Sequence, residues 1–114
     1  MKFLRSLGYA CQGIATAIKE QLNLKIHLLA VVLVTLAGFY FHITTIEWCL
    51  VLLCFGMVIA AELLNTAIEY LVDLVSPQQH PIAGKVKDIA AGAVLVTAIA
   101  VAIVAGFIFI KYTL

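Results

Sequence analysis

The 22 residues IAAGAVLVTAIAVAIVAGFIFI, Ile89 to Ile110, carry no charge. About 20 apolar residues of helix cross the roughly 30 Å hydrocarbon core of a bilayer, so this run reads as a transmembrane helix. Two further apolar segments precede it. One runs from Ile26 to Ile43, interrupted only by His27, Thr35 and His42; the other starts at Trp48 and stays apolar to Ala61 before polar residues enter. The connections, residues 42–47 and 76–81, are short, and the second holds Pro77 and Pro81, which break a helix. Composition agrees: 65% of the 114 residues are hydrophobic and 11% charged, whereas soluble domains are about half apolar and about a quarter charged. A compact soluble fold of this length could not bury so much apolar surface. That sets aside a soluble enzyme and a disordered chain. A net charge of +1 is too small for electrostatic capture of nucleic acid. Cys11, Cys49 and Cys54 form no pair pattern and read as small packing residues.

Upstream of the first span the pattern changes to helical period. Phe3, Leu7, Ala10, Cys11, Ile14 and Ile18 share one face, and Lys2, Arg5, Tyr9, Gln12, Thr16, Lys19 and Asn23 the other. This predicts an amphipathic helix suited to the membrane surface or to packing on the protein's own spans. No apolar core followed by a small-residue cleavage site is found near Met1, so no cleavable signal is expected. The expected fold is therefore an all-α membrane protein of one domain, residues 1–114, with a surface helix over 1–25 and membrane helices over 26–43, 48–75 and 82–110. Lys2, Arg5, Lys19 and Lys25 precede the first span, the first connection has no lysine or arginine, and Lys85 and Lys87 follow the second connection. By the positive-inside rule the N-terminus lies in the cytoplasm and the C-terminus outside.

The second span ends in chemistry. Glu62, Asn65, Glu69 and Asp73 are spaced three, four and four apart and form one stripe on a helix. If Trp48 marks the outer interface, about 20 residues exhaust the hydrocarbon near position 68, which leaves Glu62 roughly 9 Å inside the inner boundary. A carboxylate at that depth costs several kcal/mol unless paired or hydrated, so it faces a protein interior or a wet cavity. The plainer alternative is a polar seam between helices. Across the connection, Lys85, Lys87 and Asp88 open the third span, followed by the small residues Ala90, Ala91, Gly92 and Ala93. Carboxylates hold Mg²⁺ and an ammonium meets phosphate, so lysines beside this stripe point to a polyanion with a metal; positive-inside anchoring is the alternative for Lys85 and Lys87. Neither of the glycine-rich phosphate loops of soluble nucleotide-binding proteins is present.

The run Ala61-Glu62-Leu63-Leu64-Asn65-Thr66-Ala67-Ile68-Glu69 with Val72-Asp73, and His80-Pro81-x-Ala83 followed by Lys87-Asp88-x-Ala90-Ala91-Gly92-Ala93-Val94, closely resemble the signatures of the small prokaryotic diacylglycerol kinase and undecaprenol kinase family. Asn23-x-x-Ile26-His27 and Ile46-Glu47-Trp48 resemble its short, Gram-positive-type members. The resemblance covers nearly the whole chain. It implies a homotrimer in the bacterial inner membrane that moves the γ-phosphate of MgATP to a lipid hydroxyl at the cytoplasmic interface. It further implies Glu62 as the general base, Asn65 as an ordering amide, Glu69 as a Mg²⁺ ligand and Lys87 as the phosphate contact with Asp88 beside it. Gln78, Gln79 and His80 would touch ATP from the loop, and Tyr9 from the surface helix. One position departs from the family: a second Mg²⁺-binding glutamate is usual where this chain has Gln21. Either Gln21 serves as the weaker ligand, or the adjacent Glu20, about 100° away around a helix, takes its place. The competing function is a small cation- or proton-coupled carrier with Glu62 as its intramembrane carboxylate. Residue chemistry alone does not separate undecaprenol from diacylglycerol as acceptor.

Overall fold

The computed structural model describes all 114 residues as four helices: α1 Lys2–Glu20, α2 Leu22–Phe41, α3 Thr45–Val75 and α4 Pro81–Thr113. The last three are long and apolar enough to cross a membrane. Only 12 of the 114 residues are buried, so the chain by itself leaves most of its apolar surface to be covered by lipid or by other protein. The protein is thus an all-helical membrane protein.

The boundaries correct the sequence reading at each end. The N-terminal helix stops at Glu20 rather than residue 25, and residues 22–25 open the next helix. Gln21 between them is extended, φ −111° and ψ 113°. No glycine or proline announces this break; the flanking residues favour helix on both sides, and only the change of direction requires an opening. The second span starts at Thr45, not residue 48, because Thr44 and Glu47 form a reciprocal cap. The Glu47 amide donates to Thr44 Oγ1 at 3.2 Å, and the Thr44 amide donates to Glu47 Oε1 at 2.9 Å. The third span starts at Pro81, where His80 Nδ1 accepts from the Ile82 amide at 3.1 Å and proline fills the first turn without losing a bond. It runs on to Thr113 rather than residue 110. The first span ends at Phe41, short of residue 43, because His42 turns left-handed with φ 54°.

Two packings position the site. α3 and α4 run antiparallel, with Glu47 against Lys111 (2.8 Å) and Tyr112 at one end and Asp73 against Lys87 (2.5 Å) at the other. At the Glu47–Lys111 end Ile43, Val51 and Ile108 form a buried cluster with Phe41, Phe55, Val104 and Phe109 packed on it. That register sets the small residues Ala90 to Gly92 level with Glu69. α2 lies on α3 through Gly38, which admits the Trp48 ring: a Cβ there would stand 2.6 Å from it. At the other end of α2, Leu24 is 1% exposed and seats the first turn of the helix. α3 has 31 residues, about 46 Å of helix at 1.5 Å per residue. That exceeds the roughly 30 Å hydrocarbon core by about 16 Å. The surplus holds the outer part of the polar stripe, Glu69 and Asp73, while Glu62 and Asn65 stay at hydrocarbon depth.

Candidate active site

Burial falls steadily along the α3 stripe. Glu62 is 2% exposed and Asn65 8%, Glu69 is half-buried, and Asp73 is exposed. A carboxylate as enclosed as Glu62 requires a polar partner, and α2 supplies one: His27 Nε2 lies 3.4 Å from Glu62 Oε1. Sequence reasoning gave His27 no role. The available signal was a histidine breaking an apolar run on the neighbouring span, but pairing it with Glu62 needs the helix register. Thr66 is also buried, and its hydroxyl turns back to the Glu62 carbonyl at 2.9 Å, so it satisfies itself locally. Asn65 Oδ1 is buried with no hydrogen-bond donor. Native structures leave few such acceptors, and this one lies one turn from Glu62 on the same face.

Closer to water, Tyr70 ties the end of α1 to α3. Its hydroxyl donates to Glu20 Oε2 at 3.0 Å and accepts from Gln21 Nε2 at 3.5 Å. Glu20 and Gln21 therefore converge on Tyr70, the residue after Glu69, instead of diverging as they would on one continuous helix, because Gln21 has left helical geometry. Gln21 spends its amide nitrogen on Tyr70, and its carbonyl oxygen remains an acceptor. Glu69, Glu20 and Gln21 offer oxygen donors only, the chemistry that suits Mg²⁺. No three His, Cys, Asp or Glu side chains cluster closely enough on one chain to hold a metal by themselves. The donor set fits a Mg²⁺ that keeps waters and takes phosphate oxygens from a nucleotide.

The third part is a cavity of about 580 Å³ under the α3–α4 connection. Gln78, Gln79, His80 and Lys87 all line it, together with Asp73 and Ser76. Lys87 Nζ rests on Asp73, and both side chains are more than one-third exposed. Such a solvated pair exchanges readily for a phosphate oxygen. His80 contributes only its second ring nitrogen, since Nδ1 caps α4. Two expected residues stand apart: Tyr9 is 69% exposed and without a hydrogen bond, and Asp88 is exposed and lines no part of the cavity. A second, apolar groove of about 520 Å³ runs between α1 and α3, lined by Gly13, Ile14, Ala17, Leu63 and Thr66 with Tyr70 at one end.

The sequence profile of prokaryotic diacylglycerol kinases matches residues 8–109. The chain is 38% identical to the undecaprenol kinase of Bacillus subtilis (strain 168), over 96% of this chain and 89% of that protein. It is 42% identical to a diacylglycerol kinase of Synechocystis sp., over 90% of this chain but 59% of that longer protein. With the diacylglycerol kinase of Haemophilus influenzae it shares 33% identity, over 90% of this chain and 87% of that protein.

Proposed function

The chain belongs to the prokaryotic diacylglycerol kinase family and is a lipid kinase; from that premise we propose that it transfers the γ-phosphate of ATP, with Mg²⁺, to the hydroxyl of undecaprenol or diacylglycerol at the cytoplasmic face of the inner membrane. The observation that carries this reading is Glu62: a carboxylate 2% exposed, on a stripe that reaches water two to three turns later. A lipid hydroxyl sits just below the headgroups, and a nucleotide arrives from water. The two substrates therefore need an acceptor for the hydroxyl proton at Glu62's depth and cationic groups at the depth of Lys87.

Each residue then has one task. Glu62 accepts the proton from the lipid hydroxyl as its oxygen attacks phosphorus. Asn65 offers its unpaired Oδ1 to a donor on the acceptor lipid or a neighbouring chain. Lys87 leaves Asp73 for the phosphates, and Gln78, Gln79 and His80 orient the nucleotide in the loop cavity. Glu69, together with Gln21 or Glu20, would hold Mg²⁺, which when bound neutralises phosphate charge as phosphoryl transfer requires. The α1–α3 groove, apolar and open beside Leu63, accepts the lipid chain. Assembly as a homotrimer accounts for the scarcity of buried residues in one chain and brings exposed groups such as Tyr9 within reach of another copy. The lysine and arginine distribution supports a cytoplasmic N-terminus and an external C-terminus.

The test uses the purified protein in mixed micelles with labelled ATP and either lipid. Lipid-dependent transfer is expected, and Glu62→Gln should lower kcat by about 10²–10⁴-fold, the usual span for a general base. ATP turnover with no labelled lipid, or near-normal transfer by Glu62→Gln, would sink the assignment.

A further inference from the structure

The partner that α2 gives Glu62 has a function of its own. Glu62 makes one side-chain contact with a titratable group, His27, at 3.4 Å. No other side chain donates to its carboxylate, and the nearby Thr66 hydroxyl is committed to a backbone carbonyl. A glutamate has three side-chain torsions, and in a low-dielectric interior its two oxygens are equivalent until something distinguishes them. The imidazole distinguishes them: it faces Oε1 and leaves Oε2 without a hydrogen-bond donor from the chain.

The imidazole is itself well placed to do this. Its side chain is 23% exposed, against 3% for Glu62, so its second nitrogen can stay solvated while Nε2 faces the interior. Leu24, one turn earlier, is the most enclosed side chain of α2. Near the far end of the same helix Gly38 meets Trp48. With Leu24 enclosed at one end of α2 and Gly38 against Trp48 of α3 at the other, the ring cannot drift along Glu62.

We infer that His27 is a positioning residue for lipid phosphorylation: its Nε2–H holds Glu62 Oε1, so that Oε2 meets the acceptor hydroxyl in one orientation. The inference rests on the reading of Glu62 as the base. No group transfers through His27; the hydroxyl proton passes to Glu62, the new bond forms between lipid oxygen and phosphorus, and ADP leaves. The 3.4 Å separation is longer than a formed hydrogen bond, and such contacts tighten when substrate closes the site.

The experiment measures kcat and both KM values in mixed micelles for His27→Leu, His27→Gln, Glu62→Asp and the double variant His27→Leu/Glu62→Asp, each checked for helix content and assembly size. Misplacing a reacting group by about 1 Å costs on the order of 100-fold. His27→Leu should therefore lower kcat at least about tenfold while KM for ATP stays within about twofold. His27→Gln, which keeps an N–H donor, should recover most of that loss. Glu62→Asp withdraws the carboxylate by one methylene, so adding His27→Leu to it should cost less than about twofold. The inference is overturned by a folded His27→Leu with normal kcat, or by a folded His27→Gln no better than His27→Leu. A full additional loss in the double variant overturns it as well. If His27→Leu does not assemble, the comparison of His27→Gln with the wild type decides alone, a tenfold loss in kcat refuting the role. Failure of the base reading looks different: Glu62→Gln would then retain activity whatever His27 does.

Discussion

Gly38→Ala tests the packing that holds the site's second helix in place. A methyl at Gly38 would stand 2.6 and 2.8 Å from two Trp48 ring carbons and 3.2 Å from Ile43 Cδ1. Carbon pairs rest at about 3.5–4.0 Å, so the indole must retreat by about 1 Å. It cannot do so freely, because Phe39 packs against it with tilted rings 5.0 Å apart between centroids and Ile43 belongs to the buried cluster. Overpacking of this kind costs about 1–3 kcal/mol. Alanine also gains about 0.5–1 kcal/mol over glycine in a helix, which would mask part of the clash. Gly56 and Gly106 provide the reference, since a Cβ at either meets nothing within 4 Å in the chain. Measured against Gly56→Ala and Gly106→Ala, Gly38→Ala should lower the Tm of thermal unfolding in detergent micelles by several degrees. Gly38 is eleven residues from His27, about 16 Å along α2, so the strain reaches His27 only through the register of α2, and kcat below the transition should fall by less than the roughly tenfold expected of His27→Leu. An equal or higher Tm than the two references would refute the argument that Trp48 fills the Gly38 notch tightly. A fall in kcat as large as that of His27→Leu would refute local accommodation of the strain at the Trp48 end of α2.

Three further outcomes follow from the oxygen groups around Tyr70. Glu69→Ala should raise the Mg²⁺ concentration for half-maximal lipid phosphorylation or abolish the reaction, and an unchanged Mg²⁺ titration would remove Glu69 from the ligand set. Gln21→Glu should lower that Mg²⁺ requirement, because Mg²⁺ prefers anionic oxygen. Its paired control is Glu20→Ala, severe if Glu20 is the ligand and mild if Gln21 is; silence of both variants would exclude the end of α1 from metal binding. Tyr70→Phe removes the one side-chain hydrogen bond from α1 to another helix, that of Glu20, together with the neighbouring bond from Gln21. It should raise hydrogen exchange in the last turn of α1 and shift the Mg²⁺ requirement, whereas unchanged exchange would show that apolar packing alone holds α1.

The amino-acid sequence alone determined the membrane class, the number of spans and the graded stripe on α3. Those properties are local. Apolar runs must match the bilayer thickness, and a three-four-four spacing puts Glu62, Asn65, Glu69 and Asp73 on one face of any helix. The family signatures likewise lie in continuous stretches. Helix ends were legible only to within a turn or so, and those at Thr44 and His80 are set by side-chain caps whose partners lie two or three residues on.

What only the tertiary structure decided is which groups face one another across helices. His27 and Glu62 are 35 positions apart, Glu20 and Tyr70 fifty, and Asp73 and Lys87 fourteen. Their encounters depend on the register of α2 and α1 on α3 and of α4 beside it. That register is fixed by steric fit, such as the Trp48 ring against Gly38 and the enclosure of Leu24. Hydrophobic periodicity marks an apolar face but not its height along a neighbour, because in lipid both sides of a span are equally apolar. The break at Gln21 escaped sequence reading for a related reason. Helix propensity is local, whereas the change of direction between α1 and α2 is required by where Tyr70 holds Glu20 and Gln21.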